Sequence, residues 1–512
     1  MSIKKIIEKT ALVTALVVLA APGMASTPAI ALPLAGQFAA DENQGDVPAD
    51  QDITYFIQRE YMVQEAVNWN NVDVSTREGI VTLSGNVNNL LAKDRAISIA
   101  KSVKGVRAVL DKVNVSGLQI SDEQLKANIE KSLKLDPATE QYEIGVSVVN
   151  GKVDLSGKVQ SWQEKMLADK VARSVKGVKA VENNVYFDFT SNRSDAEIRE
   201  DVMQSLRWDV RVDDGLINVE VKDGIVNLSG TVGSATEQSQ AEVDAWVAGV
   251  KHVNTDRLTI SKWARNEAMR KDKYVSKSDD EIEKAIKDVF LYDPRVLSFN
   301  PDVAVDNQTV TLTGAVDNLK AKNAAERDAR NVVGVRKVVN LLKVRAETRP
   351  KDNELRTKVL DALALHPVTE KSGINVSVND GVVTLFGAVE NNQLKYEAAE
   401  IASGIRGISE VKNLLTPNAD ALPYAFDYHT QYYYPYYFGQ YDQRYRPAKS
   451  DWEIKEDIED QIWWSPFVNK SDVEVNVEDG VAELSGTVDS WNEYRFAEKN
   501  AFDGGASRSI TT

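Results

Sequence analysis

The sequence predicts an α+β protein built as a string of six small domains, and three observations carry that prediction. A Gly-x-Val-x-Leu-Ser-Gly phrase ends at Gly85, Gly157 and Gly230, with looser copies ending at Gly314, Gly387 and Gly486. Successive terminal glycines lie 72, 73, 84, 73 and 99 residues apart, which sets a repeat of roughly seventy residues with two enlarged connections. Within each repeat, helical apolar spacing gives way to strict alternation and then returns. A period of this length leaves each repeat enough residues for a small core of its own.

The elements follow in order. Ser121 with Gln124 three positions later is a capping-box pattern, repeated by Ser194/Glu197, Ser278/Glu281 and Ser450/Glu453. Behind each cap, apolar residues return every fourth position, as in Leu125, Ile129 and Leu133 or Ile454, Ile458 and Ile462. That spacing makes one stripe on a first helix. Ile144, Val146 and Val148 then alternate up to Asn150-Gly151, and Val153 and Leu155 alternate beyond it. Two such runs around Asn-Gly form a hairpin, because this pair accepts the positive φ angles of a type I′ turn. The fourth repeat has Asn307-Gln308 at that place, which predicts a different turn. A second helix follows Leu-Ser-Gly, with Ala168, Val171, Ala172 and Val175 facing inward and Gly177 as its left-handed cap. Val185 and Phe187 alternate in a last strand. The order is helix, strand, strand, helix, strand, with two helices covering one apolar face of a three-stranded sheet.

Composition bounds the setting. The chain has 512 residues, 61 Lys+Arg against 77 Asp+Glu, a formal charge of -16, and no cysteine. An acidic protein is repelled by phosphate backbones, which argues against nucleic acid as a partner. The lack of Cys removes thiolate chemistry and cysteine metal sites. Lys4 and Lys5 precede an apolar run, Ala11 to Ala21, and small residues follow at Gly23-Met24-Ala25 and Ala29-Ile30-Ala31. This is the pattern of a cleaved export signal over residues 1–25, with cleavage as late as residue 31 as the other site, and it implies a periplasmic protein.

Helix, Val-x-Val strand, Asn/Asp-Gly turn, Val-x-Leu-Ser-Gly strand, helix, Gly-Val-x-x-Val and final strand together resemble the BON domain, named for bacterial osmotically inducible and nodulation proteins. The resemblance covers nearly all of the mature chain in tandem copies and is nearest to the exported, OsmY-like members. It gives the following organisation: a linker over 26–49, then domains at 50–116, 121–190 and 194–260, a basic linker over 261–277, domains at 278–345 and 351–416, a Tyr-rich linker over 417–449, and an incomplete sixth domain over 450–512. In that sixth copy Gly504-Gly505-Ala506 replaces Gly-Val and Ser509 replaces a strand valine, which predicts an unpaired strand edge and the least stable domain. An altered gene end explains this as well as a functional exchange site does.

Catalysis finds no foothold. The three histidines, His252, His366 and His429, fall in three unrelated settings, and carboxylates sit at caps, turns and helix faces. No catalytic residue, metal ligand or cofactor is expected. What the resemblance implies is contact with phospholipid membrane and support of envelope integrity under osmotic or other stress. The candidate lipid contacts are the apolar openings of second helices, Leu90, Trp162, Leu319 and Trp491, with the run Tyr432, Tyr433, Tyr434, Tyr436 and Tyr437. Trp162 and Trp491 packed on their own hairpins is the equal alternative. Lys262, Arg265, Arg270, Lys271 and Lys273 form a candidate basic patch, alternatively a solvated linker. The other function class is a protein-interaction scaffold or chaperone-like factor for outer-membrane proteins, in which linked weak sites gain effective concentration.

Overall fold

The computed structural model describes residues 48–63, 71–140, 142–187, 193–261, 273–346, 350–369, 373–390, 392–417, 449–506 and 508–511. The expected export signal and most of both enlarged connections lie outside the described residues. Repeat 1 contains α1 (Asp50–Val63), β1 (Val72–Arg77), β2 (Ile80–Val87), α2 (Leu90–Lys101) and β3 (Ala108–Val115). Repeat 2 contains α3 (Asp122–Leu135), β4 (Ile144–Val149), β5 (Lys152–Val159), α4 (Trp162–Arg173), β6 (Ala180–Asn183) and β7 (Tyr186–Phe187). Repeat 3 contains α5 (Asp195–Trp208), β8 (Ile217–Lys222), β9 (Ile225–Val232), α6 (Ala235–Asp244) and β10 (His252–Ile260). Repeat 4 contains α7 (Asp279–Phe290), β11 (Asp302–Asp306), β12 (Thr309–Thr313), β13 (Ala315–Val316), α8 (Leu319–Arg330), β14 (Lys337–Asn340) and β15 (Lys343–Val344). Repeat 5 contains α9 (Asp352–Leu365), β16 (Asn375–Asn379), β17 (Val382–Val389), α10 (Asn392–Ser403) and β18 (Glu410–Pro417). Repeat 6 contains α11 (Asp451–Trp464), β19 (Val473–Glu478), β20 (Val481–Gly486), α12 (Trp491–Asp503) and β21 (Arg508–Thr511).

Each repeat is the expected α+β unit. The second strand is central, antiparallel to the first and parallel to the last, as in β1-β2-β3. The first-helix stripes are buried, with Leu125, Ile129, Ile198 and Val202 at 2% exposure or less. They pack on the inward strand positions, such as Val153 and Leu155, and on the second helix, such as Ala168 and Ala172. The full capping box forms at Ser194, Ser278 and Ser450. At Ser121 only half of it forms. Ser121 Oγ accepts from the Gln124 N–H, but the Gln124 amide donates to Asn128 Oδ1 at 2.9 Å.

The Leu-Ser-Gly glycine has a steric cause. A Cβ on Gly230, whose φ is +121°, would stand 2.0 Å from the Leu216 carbonyl oxygen, and Gly85, Gly157 and Gly486 face the equivalent carbonyl within 2.4 Å. The central strand therefore passes the start of the first strand at a distance only glycine allows. Gly314 is the exception, with its nearest neighbour at 3.8 Å.

The hairpin turns carry a contact the sequence did not announce. The first residue of each first helix is Asp, and its carboxylate accepts both N–H groups of the turn some thirty residues later. Asp122 takes those of Asn150 and Gly151 at 2.8 and 3.0 Å, and Asp50, Asp195, Asp352 and Asp451 do the same in their repeats. The fourth turn corrects the expectation. Asn307 and Gln308 take φ of 49° and 63°, the same left-handed pair, and Asp279 accepts both N–H groups at 2.7 and 2.9 Å. The two charge-assisted bonds that Asp279 accepts hold a non-glycine residue in the left-handed region.

The sixth repeat also differs from expectation. β21 pairs with β20 over four residues, from Val481↔Arg508 to Leu484↔Thr511, so the edge is shortened and not left open. Ala506 is fully buried in place of the usual valine. Gly504 lies so close to α11 that a Cβ would approach Ile458 to 2.5 Å.

The repeats do not stay a string, because Val47–Thr512 forms one compact body. They pack in pairs: 1 with 6, 2 with 5, and 3 with 4. The Lys104, Lys176 and Val333 N–H groups, at equivalent places after second helices, donate to the last first-helix carbonyls of the paired repeats, Trp464, Leu365 and Trp208, at 3.2, 2.8 and 2.9 Å. Phe56 stacks on Trp464 with ring centroids 4.6 Å apart, and Arg59 pairs with Asp460 at 2.6 Å.

The turn contact makes a prediction at Asp195, where the two accepted backbone N–H bonds lower the carboxyl pKa. A depressed folded pKa means that the stabilisation is present above the unfolded value and lost as pH falls through the folded one. Asp195→Ala should lower the melting temperature at neutral pH. The gap from the parent chain should close in acid, once the carboxyl is protonated. An equal gap at both pH values would contradict the electrostatic origin.

Candidate functional site: the openings of the second helices

The four candidate lipid contacts sit at second-helix openings, each started by an Asn or Ser cap. Asn89, Ser161, Asn318 and Ser490 accept the N–H three residues on. These caps fix the first turn, and the structure lays that turn against another repeat. Leu90 is 4% exposed and belongs to the core of repeat 2. Leu319 packs against the core of repeat 5. Trp162 stacks face to face on Trp246 of repeat 3 at 5.1 Å and 5°, with Phe187 edge-on to the same ring. Trp491 stacks on Tyr494 of its own helix, and the Arg330 guanidinium of repeat 4 lies 5.2 Å from its ring centroid. None of these openings stands out as a free apolar tip. Each is engaged with another repeat, because the apolar side chain is removed from water there.

The contacts follow one rule. The start of a second helix lies against the end of another second helix or the residues just past it: Lys101, Arg173, Trp246 and Arg330 are such end positions. Asp94 pairs with Arg173 at 3.0 Å, Gln163 donates to the Trp246 carbonyl at 2.7 Å, and Thr236 donates to the Lys101 carbonyl at 3.2 Å. Repeats 1, 2 and 3 thereby close a ring, 1 onto 2, 2 onto 3 and 3 onto 1. The links from 4 to 5, through Leu319 and the Arg406–Asp317 pair at 2.6 Å, and from 6 to 4, through Trp491, repeat two thirds of that pattern. The two triplets meet through the pairs described above.

The basic patch is corrected at one position. Lys273 is 5% exposed, and its ammonium donates to the Leu206 carbonyl at 3.0 Å and to the Val212 carbonyl, with Asp214 at 3.5 Å. Burial lowers its pKa, against the pull of Asp214 and Asp209. It ties the connection onto repeat 3 and does not face solvent. Lys262, Arg265, Arg270 and Lys271 lie outside the described residues, as do Tyr432, Tyr433, Tyr434, Tyr436 and Tyr437.

The interface between repeats 3 and 4 is filled with charge. Arg211 grips Asp209 beside Gln240 and Asp244, and Arg295 grips Asp293 beside Asp328. Burial, then the Asp293 charge, pushes the Asp328 carboxyl well up, and burial with Asp209 does the same to Asp244. His366 is buried with Nε2 3.3 Å from Glu397. No signal in its own segment announces a partner thirty-one residues away. Among the described residues no group of His, Asp and Glu is placed to hold a metal, and no helix is long and apolar enough to cross a membrane.

Two measurements check these interfaces. Mutating Trp162 and Trp246 to Ala singly and together should give a coupling energy of about 0.5–1.5 kcal/mol, the usual worth of an aromatic pair; zero coupling would mean the stack is incidental. A carboxyl pKa raised in the folded state means that the folded form holds its proton longer. Stability therefore falls as pH rises from the unfolded value, about 4, toward the raised one. Asp328→Asn should flatten that fall and raise the melting temperature at neutral pH. A melting temperature lowered equally at every pH would contradict this reading.

Comparison with known proteins agrees with the geometry. The BON domain pattern matches residues 58–117, 121–187, 194–262, 278–346, 351–418 and 450–501, more than half of the chain. Over 148 residues the chain is 28% identical to osmotically-inducible protein Y of Escherichia coli, covering 28% of this chain and 74% of that protein. Over 115 residues it is 34% identical to the outer membrane lipoprotein DolP of Haemophilus influenzae, covering 22% of this chain and 59% of the relative's length. A solved structure of CdsD, a structural protein of the type III secretion system of Chlamydia trachomatis, aligns over 39% of this chain and 90% of its own at 18% identity, with a TM-score of 0.11. With six matches spread along its length, each on one helix-and-sheet repeat, the chain belongs to the BON domain family.

Proposed function

We propose that this chain is a non-enzymatic periplasmic protein that binds the phospholipid surface of the bacterial envelope and supports its integrity under osmotic stress. Family membership supports the class, and the relatives named for osmotic induction and for the outer membrane support the setting. The observation that carries the contact is on the outward sheet face of repeat 5. Phe386 and Leu414 are direct neighbours on β17 and β18 and are 43% and 64% exposed. Repeats 1 and 3 add the exposed Leu110 and Ile225. With the helix openings occupied by other repeats, these outward faces offer exposed apolar surface to a membrane. A chain of charge -16 has no bulk attraction to anionic lipid, so apolar contact must contribute. Contact through Trp162, Trp491, Leu90 and Leu319 would require the repeats to part, and the Tyr432–Tyr437 run would add interfacial contact from its linker.

A second reading is a scaffold or chaperone-like factor for outer-membrane proteins. It is favoured by the openings themselves, since in five repeats that surface is used as a protein–protein contact.

Flotation with vesicles of phosphatidylethanolamine and phosphatidylglycerol tests the proposal. Phe386→Ser with Leu414→Ser should weaken flotation roughly tenfold or more, because full burial of one large apolar side chain is worth about 1.5–3 kcal/mol. Trp162→Ser should chiefly loosen the 2–3 junction. Flotation unchanged by the sheet-face double variant and abolished by the Trp variants would move the contact to the openings. Capture of outer-membrane proteins with no flotation at all would favour the scaffold.

A further inference from the structure

The three pairs of repeats are built alike but are not filled alike. Between repeats 3 and 4, the space beside the ends of the first helices is occupied by Arg211, Asp244, Arg295 and Asp328. Between 1 and 6, Phe56 and Trp464 stack there, beside the buried Lys499–Asp503 pair. Between 2 and 5, the positions equivalent to Arg211, Arg295, Asp244 and Asp328 are Ala138, Val368, Val171 and Ile401. Ala138 and Val368 are far shorter than the arginines at the equivalent positions, the two aspartates are replaced by Val171 and Ile401, and a cavity of about 210 Å³ remains.

Repeats 1 and 4 contribute equivalent second-helix positions to its lining, Leu91 and Lys320. Its walls are largely apolar, with Leu135, Leu167 and Val171 from repeat 2 and Leu365, Ile401 and Ile405 from repeat 5. Polar groups sit in pairs at its margin. Lys320 is salt-bridged to Asp136, and His366 lies 3.3 Å from Glu397. The charged residues of the lining are Arg95, Lys170 and Lys320 against Asp136, Glu397 and Glu400, three of each sign.

We propose that this cavity is a binding site for a small uncharged molecule with an apolar body and one hydrogen-bonding group, such as a short alkyl or phenyl alcohol. Three observations converge on that class. The walls are largely apolar, and apolar surface left against water is unfavourable, so an apolar body gains by covering it. The balanced lining gives neither sign of charge an advantage, and a charged guest would shed its hydration without a dedicated partner. An apolar cavity of 150 Å³ holds benzene, so this volume suits a guest of roughly eight non-hydrogen atoms. The His366–Glu397 pair offers the hydrogen bond that orients it. The site lies among four repeats and is separate from the outward sheet faces.

Isothermal titration of the full chain with benzyl alcohol, and with benzoate and benzylamine as charged counterparts of the same shape, tests the site. The expected result is saturable one-to-one binding of benzyl alcohol, with either charged analogue at least about tenfold weaker. Ile401→Phe, which fills the cavity, should remove that binding without lowering the melting temperature. Leu167→Phe, from the opposite wall, should do the same if the first variant folds poorly. Absence of saturable binding to the parent chain would overturn the site. Binding undiminished in a folded filling variant would overturn its location, and tighter binding of benzoate or benzylamine would overturn the uncharged class.

Discussion

The architecture above a single repeat depends on one contact, the start of a second helix laid against the end of another. A repeat of this size buries only a modest share of its surface, so a second layer of burial is worth a good deal to it. The opening supplies that layer with little loss of entropy, because its Asn or Ser cap already fixes the turn. What differs between links is the chemistry brought to a shared geometry: Leu90 enters a core, Trp162 stacks on an indole, and Trp491 meets a guanidinium. Repetition in sequence thus becomes repetition in space, and the molecule is an assembly of like parts within one chain.

The pairs between the triplets show how such parts diverge. Their shared backbone bond, from Lys104, Lys176 or Val333 to a helix-end carbonyl, holds each pair in the same pose. Side chains are then free to vary in the space it leaves. One pair uses paired charges, whose desolvation is costly and whose protons are held differently in the folded state. Another uses aromatic rings, and the third leaves room. Equivalent positions with unlike contents are where a repeat protein can acquire separate roles without altering its frame.

Local features were legible in the sequence and distant ones were not. Asn150-Gly151 announces its hairpin because the turn needs only its own φ angles. The stripe Leu125, Ile129, Leu133 announces a buried helix face through spacing alone. Asp122 looks like any acidic residue in a first helical turn, and its bonds to a turn twenty-eight residues on cannot be read from that segment. The same holds for Asn307-Gln308, whose dihedrals are set by Asp279 and not by glycine. At the candidate site, Trp162 is legible as a large apolar residue at a helix start, but its partner Trp246 belongs to another repeat. Lys273 carries the charge its letter promises, yet burial against two carbonyls gives it a structural task.

These contacts define a closed body, and function must then work through its outer faces or through its opening. Small-angle X-ray scattering from residues Val47–Thr512 tests that closure most directly. The account predicts a single compact particle with a radius of gyration of about 23 Å, or slightly more with its linkers, as expected for one body of this length. A radius roughly twice as large, with the multi-lobed distance distribution of beads on a string, would contradict it.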